Sequence, residues 1–337
     1  MNQNQYMKID ANEGRCVLDE GQLARILSPE VARRYPSSLV LEEELAKYFG
    51  VSSAKVIATA GADDAIDRAF RALAGSGGSV CSTVPGFVEF LDAATRTGAA
   101  FVPVPRGQTF PLEEFIASIG RNKPQIAIIA SPDNPWGTRL SETEFLAILE
   151  ASQAAGTVFI LDLTYADFAP LDNLLALALE SPGVLVTGSF SKSRGLAGFR
   201  AGWAMGGEKS LSLVERLREA GPPYSLSSPA IEAARLALAE SQERYAAFVG
   251  EITWERETLS AILACLGYET WPQSGNFVTI KAQDARTFAS RLKEKGILVR
   301  MWPNSPMAED LVRLTCPGDR SEFTRLAEAL ETMEAAQ

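Results

Sequence analysis

Residues 184–202 read VLVTGSFSKSRGLAGFRAG. The apolar run Val184–Gly188 predicts a short buried strand. The segment SFSKSRGLAGFRAG (189–202) follows directly, with three serines, a lysine, small glycine steps and two arginines. In open α/β sheets, ligands bind in the crevice beyond the carboxyl ends of the strands. Hydroxyl donors at Ser189 and Ser191, with the bidentate guanidinium of Arg200, form a clamp suited to a phosphate. Lys192 sits among them. Nearby cations disfavour its charged form, which suits Schiff-base chemistry.

Upstream, VFILD (158–162) is a second apolar strand, ending in Asp162, and the chain continues Leu163-Thr164-Tyr165. A carboxylate desolvated at such a strand end needs a cationic partner. Further strands are predicted at Val80–Val84, Ala100–Val104, Ile126–Ala130 and Arg200–Met205, with helix-length segments at Val88–Thr97 and Glu142–Ala154 between them. Leu39–Phe49 has helical spacing and stops at Gly50. Asp63 and Asp64 open another helical stretch through Leu73, where acidic residues suit the positive helix end. This alternation predicts an α/β protein whose large domain has a mostly parallel sheet flanked by helices.

After Pro222-Pro223 the pattern changes. One long helical stretch, Pro229–Leu266, leads to strands at Phe277–Lys281, Ile297–Met301 and Val312–Thr315 and to a final helix. These predict a smaller α+β C-terminal domain, completed by the N-terminal arm. The expected divisions are an arm at 1–30, a large domain at 31–228, and a linking helix with the small domain at 229–337. Gly75-Ser76-Gly77-Gly78 precedes a strand instead of following one, so it reads as a turn and not a dinucleotide fingerprint.

The chain has 337 residues, 32 Lys+Arg, 42 Asp+Glu and no histidine. Without imidazole there is no Ser-His-Asp or Cys-His catalysis and no HExxH zinc site, so Lys, Tyr, Asp, Glu or Cys must move any proton. The net charge of -10 argues against a nonspecific nucleic-acid or membrane-surface binder. Cys16, Cys81, Cys265 and Cys316 include no CxxC pair, so neither a metal site nor a redox motif is indicated. The start MNQNQYMKID lacks an apolar leader, and no stretch is long enough to span a bilayer. The expectation is a soluble, cytoplasmic protein.

From about Ile9 to Leu330 the chain resembles the fold-type-I pyridoxal-phosphate (PLP) enzymes of the class I/II aminotransferases, and within them the histidinol-phosphate aminotransferase family. Segment 189–202 is the specific signal. The resemblance implies that Lys192 binds the cofactor covalently and that Arg200, Ser189 and Ser191 hold its phosphate. Gly61-Ala62-Asp63 matches the family's Gly-Ser-Asp turn, whose backbone N–H groups meet the same phosphate at a helix start. Asp162 is implied to pair with the pyridinium nitrogen. SPDNPWGT (131–138) resembles NPNNPTG, implying Asn134 and Tyr165 on the phenolic oxygen, and Phe87 falls where a ring stacks on the cofactor. Tyr35-Pro36 resembles the Tyr-Pro whose tyrosine reaches the cofactor phosphate of a partner subunit, implying a homodimer. Asn12, Arg313 and Arg300 are implied substrate contacts.

Several positions depart from the pattern. Leu163 replaces an acid, Phe87 lacks a hydroxyl, and Asn12-Glu13-Gly14-Arg15-Cys16 lacks the arm's tyrosine. Trp136 replaces a small threonine and is expected to narrow the site. Trp302 and Trp271 are expected to pack within the small domain, and Arg194 to face solvent. The implied activity is amino transfer between an amino acid or amino-alcohol phosphate and a 2-oxo acid. The alternative is a PLP-dependent decarboxylase resembling phosphothreonine decarboxylase.

Overall fold

A computed structural model describes residues 6–169, 173–305 and 307–333. The outermost residues of the expected arm (1–5) and of the C-terminal domain (334–337) lie outside the described residues. The chain opens with β1 (Met7–Ile9), α1 (Glu20–Ile26), α2 (Pro29–Arg33) and α3 (Leu39–Phe49). Then come β2 (Val56–Thr59), α4 (Ala62–Ala69), β3 (Ser79–Val84), α5 (Val88–Thr97), β4 (Ala100–Pro105), α6 (Leu112–Asn122) and β5 (Ile126–Ala130). Next are α7 (Glu142–Ala155), β6 (Val158–Asp162), α8 (Leu174–Glu180), β7 (Val184–Ser189), β8 (Gly202–Gly206) and α9 (Leu211–Ala220). The remainder is α10 (Ser228–Leu238), α11 (Gln242–Cys265), β9 (Phe277–Lys281), α12 (Ala285–Glu294), β10 (Ile297–Met301), β11 (Leu311–Thr315) and α13 (Arg320–Glu331).

The seven-stranded sheet runs β2-β8-β7-β6-β5-β3-β4. Only β8 opposes its neighbours; β7, β6, β5, β3 and β4 pair in parallel. Every residue of β5 is buried, as expected for a strand covered on both faces. Two apolar cores, one around Phe115, Phe145 and Phe159 and one around Ile66, Phe70 and Ile128, include helix residues packed against the strands. Local signals fix the flanking helices: Ser141 and Glu144 cap α7 reciprocally, and Gly50 ends α3 in the left-handed conformation at φ 67°. The turn reading at 75–78 agrees with positive φ at Gly75 and Gly77.

The second sheet runs β1-β10-β11-β9, so the N-terminal arm supplies its edge strand, in parallel with β10. Its core gathers Phe277, Ile280, Leu292, Val312 and Leu326. Three expectations need correction. The stretch 229–266 is two helices, not one: Ser241 accepts a hydrogen bond from Arg244 N and so starts α11 afresh. The strand expected from Arg200 begins at Gly202, because Arg200 adopts a left-handed φ of 55° in the preceding turn. The stretch from Asp63 to Leu73 starts at Ala62 and continues beyond Ala69 as a π-helical turn, Phe70–Ala74.

Candidate active site

The carboxyl ends of β5, β6 and β7 converge on one cavity between the two sheets. Its wall includes Asp10, Ala62, Asp63, Phe87, Asn134, Asp162, Tyr165, Ser189, Ser191, Lys192, Arg200, Arg300, Trp302 and Arg313. Residues more than 300 positions apart meet there because β1 and β11 both belong to the small sheet.

One end of the cavity is built for an anion. The pairing of Thr59 with Gly202 brings the turn after β2 against the turn before β8. Gly61 precedes α4 at φ 85°, and a Cβ there would lie 2.8 Å from Arg200 Nη2. The positive φ favours glycine, and a side chain there would also push on the guanidinium. The first N–H groups of α4, the hydroxyls of Ser189 and Ser191, and Arg200 share this end. Arg200 Nη2 donates to Asp63 Oδ2 at 2.6 Å and its Nη1 to Ser191 Oγ at 3.4 Å.

At the floor, Asp162 is 2% exposed. Its Oδ1 accepts from Thr164 N (3.2 Å), Thr164 Oγ1 (2.7 Å) and Thr187 Oγ1 (3.1 Å). Among the described residues no cation pairs with it, and no hydrogen bond reaches its Oδ2. Burial pushes its pKa up to about 6 against those three hydrogen bonds. Lys192 Nζ donates to Ala11 O at 2.8 Å. Its pKa falls to about 8, chiefly by burial and then by Arg313. The sequence pointed to neighbouring cations as the cause; desolvation dominates, and the main cation comes from the other sheet.

Tyr165 accepts from Asn12 Nδ2 at 3.0 Å, and burial raises its hydroxyl's pKa. Asn12 does not line the cavity; it stands behind Tyr165 and is fixed by Thr315. Arg313 Nη1 donates to Asn134 Oδ1 (2.7 Å) and Nη2 to Asp10 O (2.7 Å), while burial lowers its pKa to about 10. Phe87 and Arg300 also line the cavity. Tyr35 does not: it is 83% exposed and stacks on Tyr224, with ring centroids 4.7 Å apart.

Three tryptophan and arginine expectations change. Trp302 lines the cavity, its ring near both Arg300 and Arg313. Trp136 does not narrow it: the ring turns into a cluster with Trp271, Ala308 and Leu311, and its Nε1 donates to Pro85 O. Arg194 is buried, not solvated. Thr187, which grips Asp162, has no sequence signature, because a threonine inside an apolar strand carries no signal beyond β propensity.

The sequence matches the family profile described as aminotransferase class I and II over residues 2–330. A curated histidinol-phosphate aminotransferase of Chromobacterium violaceum is 33% identical over 97% of this chain and 92% of its own length. The chain belongs to the class I and II aminotransferases. A further relative of the same name, from Roseiflexus castenholzii, is 31% identical over 92% of this chain and 85% of its own. The crystal structure of histidinol-phosphate aminotransferase from Sinorhizobium meliloti in complex with pyridoxal-5'-phosphate superposes with a TM-score of 0.87 at 25% identity, covering 96% and 91% of the two chains. L-threonine-O-3-phosphate decarboxylase from Porphyromonas gingivalis shares the fold, with a TM-score of 0.81 at 24% identity over 97% and 98% of the chains.

This aminotransferase is therefore a PLP-dependent transaminase of fold type I. Its cavity fits that cofactor on its own chemistry. The buried Asp162 lacks a cation, which a protonated pyridine nitrogen provides. The helix start with Ser189, Ser191 and Arg200 suits a phosphate. A lysine amine with a lowered pKa lines the same cavity. No helix among the described residues is long and apolar enough to cross a membrane.

Proposed function

We propose that this aminotransferase takes its amino group from a donor carrying a phosphate or carboxylate, histidinol phosphate among the candidates, and passes it to a 2-oxo acid. One observation carries the choice of an anionic donor. Arg313 and Arg300 face the cavity with no carboxylate within ion-pair distance among the described residues, and Arg313 Nε is buried without a partner. An unneutralised buried guanidinium is costly unless a ligand answers it. The names of the curated relatives agree with a phosphorylated donor.

In this reading Lys192 anchors the cofactor, Asp162 keeps its ring nitrogen protonated, and Asn134 and Tyr165 hold its phenolic oxygen. Gly61, Ala62, Asp63, Ser189, Ser191 and Arg200 hold its phosphate, and Phe87 covers the ring. When bound, PLP supplies an electron sink for the charge left at the donor's α-carbon. Arg313, with Arg300 beside it, binds the donor's anionic group. Lys192 Nζ takes the α-proton and returns it; a pKa near 8 leaves enough free amine close to neutrality for that task. No histidine is required. The exposed Tyr35–Tyr224 pair leaves Tyr35 at the surface, where a homodimer would let it reach the partner's cofactor phosphate, and the enzyme is read as cytoplasmic.

The test is a half-reaction screen. PLP-loaded protein is mixed with histidinol phosphate and with aromatic, acidic, basic and neutral amino donors, and conversion to pyridoxamine phosphate is followed by absorbance. Anionic donors should convert fastest, and Lys192→Ala should lose conversion. Equal rates for neutral amines would overturn the anionic-donor reading. Carbon dioxide release without an oxo-acid acceptor would replace transamination with decarboxylation.

A further inference from the structure

The loop after β7 has two faces. Ser191 and Lys192 line the site described above, Phe190, Ser193 and Arg194 line a second cavity of about 580 Å³ behind it, and Ser189 borders both. Phe190 and Leu196 fix the ends of this loop in the apolar core, but the segment between them borders a hollow and lacks the close packing of most interior segments. Other contacts must hold it.

Arg194 supplies them. Its side chain is 4% exposed. Nη1 donates to Ala237 O at 3.1 Å and Nη2 to Tyr48 Oη at 3.1 Å. The guanidinium carbon lies 3.3 Å from the centroid of the Tyr245 ring. These partners sit on α10, α3 and α11. Ala237 is in the last turn of α10, where carbonyls lack intrahelical donors and a cation is favoured. No carboxylate comes within ion-pair distance of Arg194 among the described residues. A buried guanidinium without a counter-ion depends on such directed acceptors and on an aromatic face.

The backbone passes this anchoring to the lysine. Gly195 N donates to Lys192 O at 3.3 Å, and Arg194 O accepts from Val17 N of the arm at 3.3 Å. Between the two side chains, Ser193 Oγ donates to Asp167 Oδ2 at 2.5 Å. Each contact restrains the three residues Lys192, Ser193 and Arg194 as one unit.

We propose that Arg194 is a positioning residue for Lys192: by tying the lysine loop to α3, α10 and α11, it holds Lys192 Nζ in its desolvated place beside Ala11 O. The inference rests on Lys192 being the amine that binds the cofactor. The charged groups facing that amine are Arg313 from β11, Asp63 from α4, Glu13 from the arm and Arg200 from the turn before β8. On the other side, Tyr48, Tyr245 and Asp167 share the second cavity with Arg194. The four groups facing the amine are untouched by a substitution at Arg194, and Arg194→Lys keeps the local charge, so a change in the lysine shared by Arg194→Ala and Arg194→Lys reports its position and hydration.

The test uses apoprotein and PLP alone. The rate of PLP capture is followed by absorbance between about pH 6 and 11, a span that brackets ordinary and depressed lysine pKa values. The wild-type rate should rise with a midpoint near 8, the value burial gives Lys192. Arg194→Ala should move the midpoint up by roughly one unit or more, as the amine regains water. Arg194→Lys keeps the charge but cannot make both directed bonds while stacking flat; it should shift the same way. Tyr48→Phe removes one anchor at a half-exposed position and should give a smaller upward shift. It decides the matter should Arg194→Ala fold poorly. Wild-type midpoints in Arg194→Lys and Tyr48→Phe would overturn the proposal. Lys192→Ala should abolish lysine-dependent capture; wild-type capture in that variant would instead overturn the underlying reading of Lys192.

Discussion

Arg300 and Arg313 are Cα partners across β10 and β11, and each guanidinium carbon lies 5.6 Å from the centroid of the Trp302 ring. Two like charges thus share one aromatic ring in the cavity wall, with no carboxylate within ion-pair distance of either among the described residues. The ring's negative face offsets part of their repulsion. The unequal burial of the two arginines separates their roles: Arg313 is 5% exposed, whereas Arg300 is exposed.

Removing the buried member should therefore matter more. Arg313→Ala should lower kcat/KM for an anionic donor by about 2–5 kcal/mol, or roughly 30- to 5000-fold. Arg300→Ala, screened by solvent, should lose less than about tenfold. Single-turnover kinetics with an anionic donor and a neutral amine of similar size check this. Equal losses on both donors would show that the arginines support the fold and not the ligand.

Asp162 gives a stability signature of the apoprotein. Its folded pKa of about 6 exceeds its ordinary value of 3.8. Any stabilisation from the protonated form is fully present below pH 3.8 and is lost as pH rises through 6. Asp162→Asn should remove this loss and stabilise the apoprotein at neutral pH by up to about 3 kcal/mol. The same variant should bind PLP more weakly, having no charge to offer the ring nitrogen. Urea melts of both apoproteins across that window, with a PLP titration, provide the measurement. Parallel melts would mean that the carboxylate already has a partner.

Much of this was legible from residues alone. Strand periodicity located β5, β6 and β7, and with them the shared edge where Asp162 and Ser189 stand. The cation that most lowers the pKa of Lys192 was not legible as its neighbour. Arg313 follows it by more than a hundred residues and arrives only through the pairing of β11 in the second sheet. Side-chain direction was hidden in part. Segment 189–202 points Lys192 to the cavity, but nothing local tells that Arg194, two residues on, is buried against the opposite hollow instead of facing solvent. The break in 229–266 was marked only by a capping serine, Ser241, which a helical apolar pattern outweighs.

Trp136 tests the corrected reading of its segment. It is 2% exposed, packs against Trp271, and its carbonyl accepts from Trp271 Nε1 at 2.7 Å. Trp136→Ala should destabilise by about 3–5 kcal/mol, the usual cost of emptying an aromatic site. Because the ring lies outside the cavity wall, the relative rates for small and large donors should stay within about twofold of wild type. Thermal unfolding and a donor panel measure the two effects. Unchanged stability with a strong gain for bulky donors would return Trp136 to the substrate wall.

Glu255 supplies a second pH-dependent group, outside the cavity wall. It is fully buried in α11; Oε2 accepts from Gly318 N at 2.9 Å, and Oε1 has no partner. Burial, with Glu251 and Asp319 adding like charge, raises its pKa to about 7 from 4.5. Stabilisation from the protonated form is complete below pH 4.5 and lost as pH rises through 7, a window displaced upward from that of Asp162. Glu255→Gln keeps an acceptor for Gly318 N–H and removes the charge. The Tm of Glu255→Gln should match wild type at about pH 4 and exceed it at about pH 8, with the divergence centred above that of Asp162→Asn. Bound PLP should abolish the Asp162 effect, by giving that carboxylate a cation, and leave the Glu255 effect intact. Loss of both on adding PLP would place Glu255 in the cofactor's field and contradict its position beside Gly318.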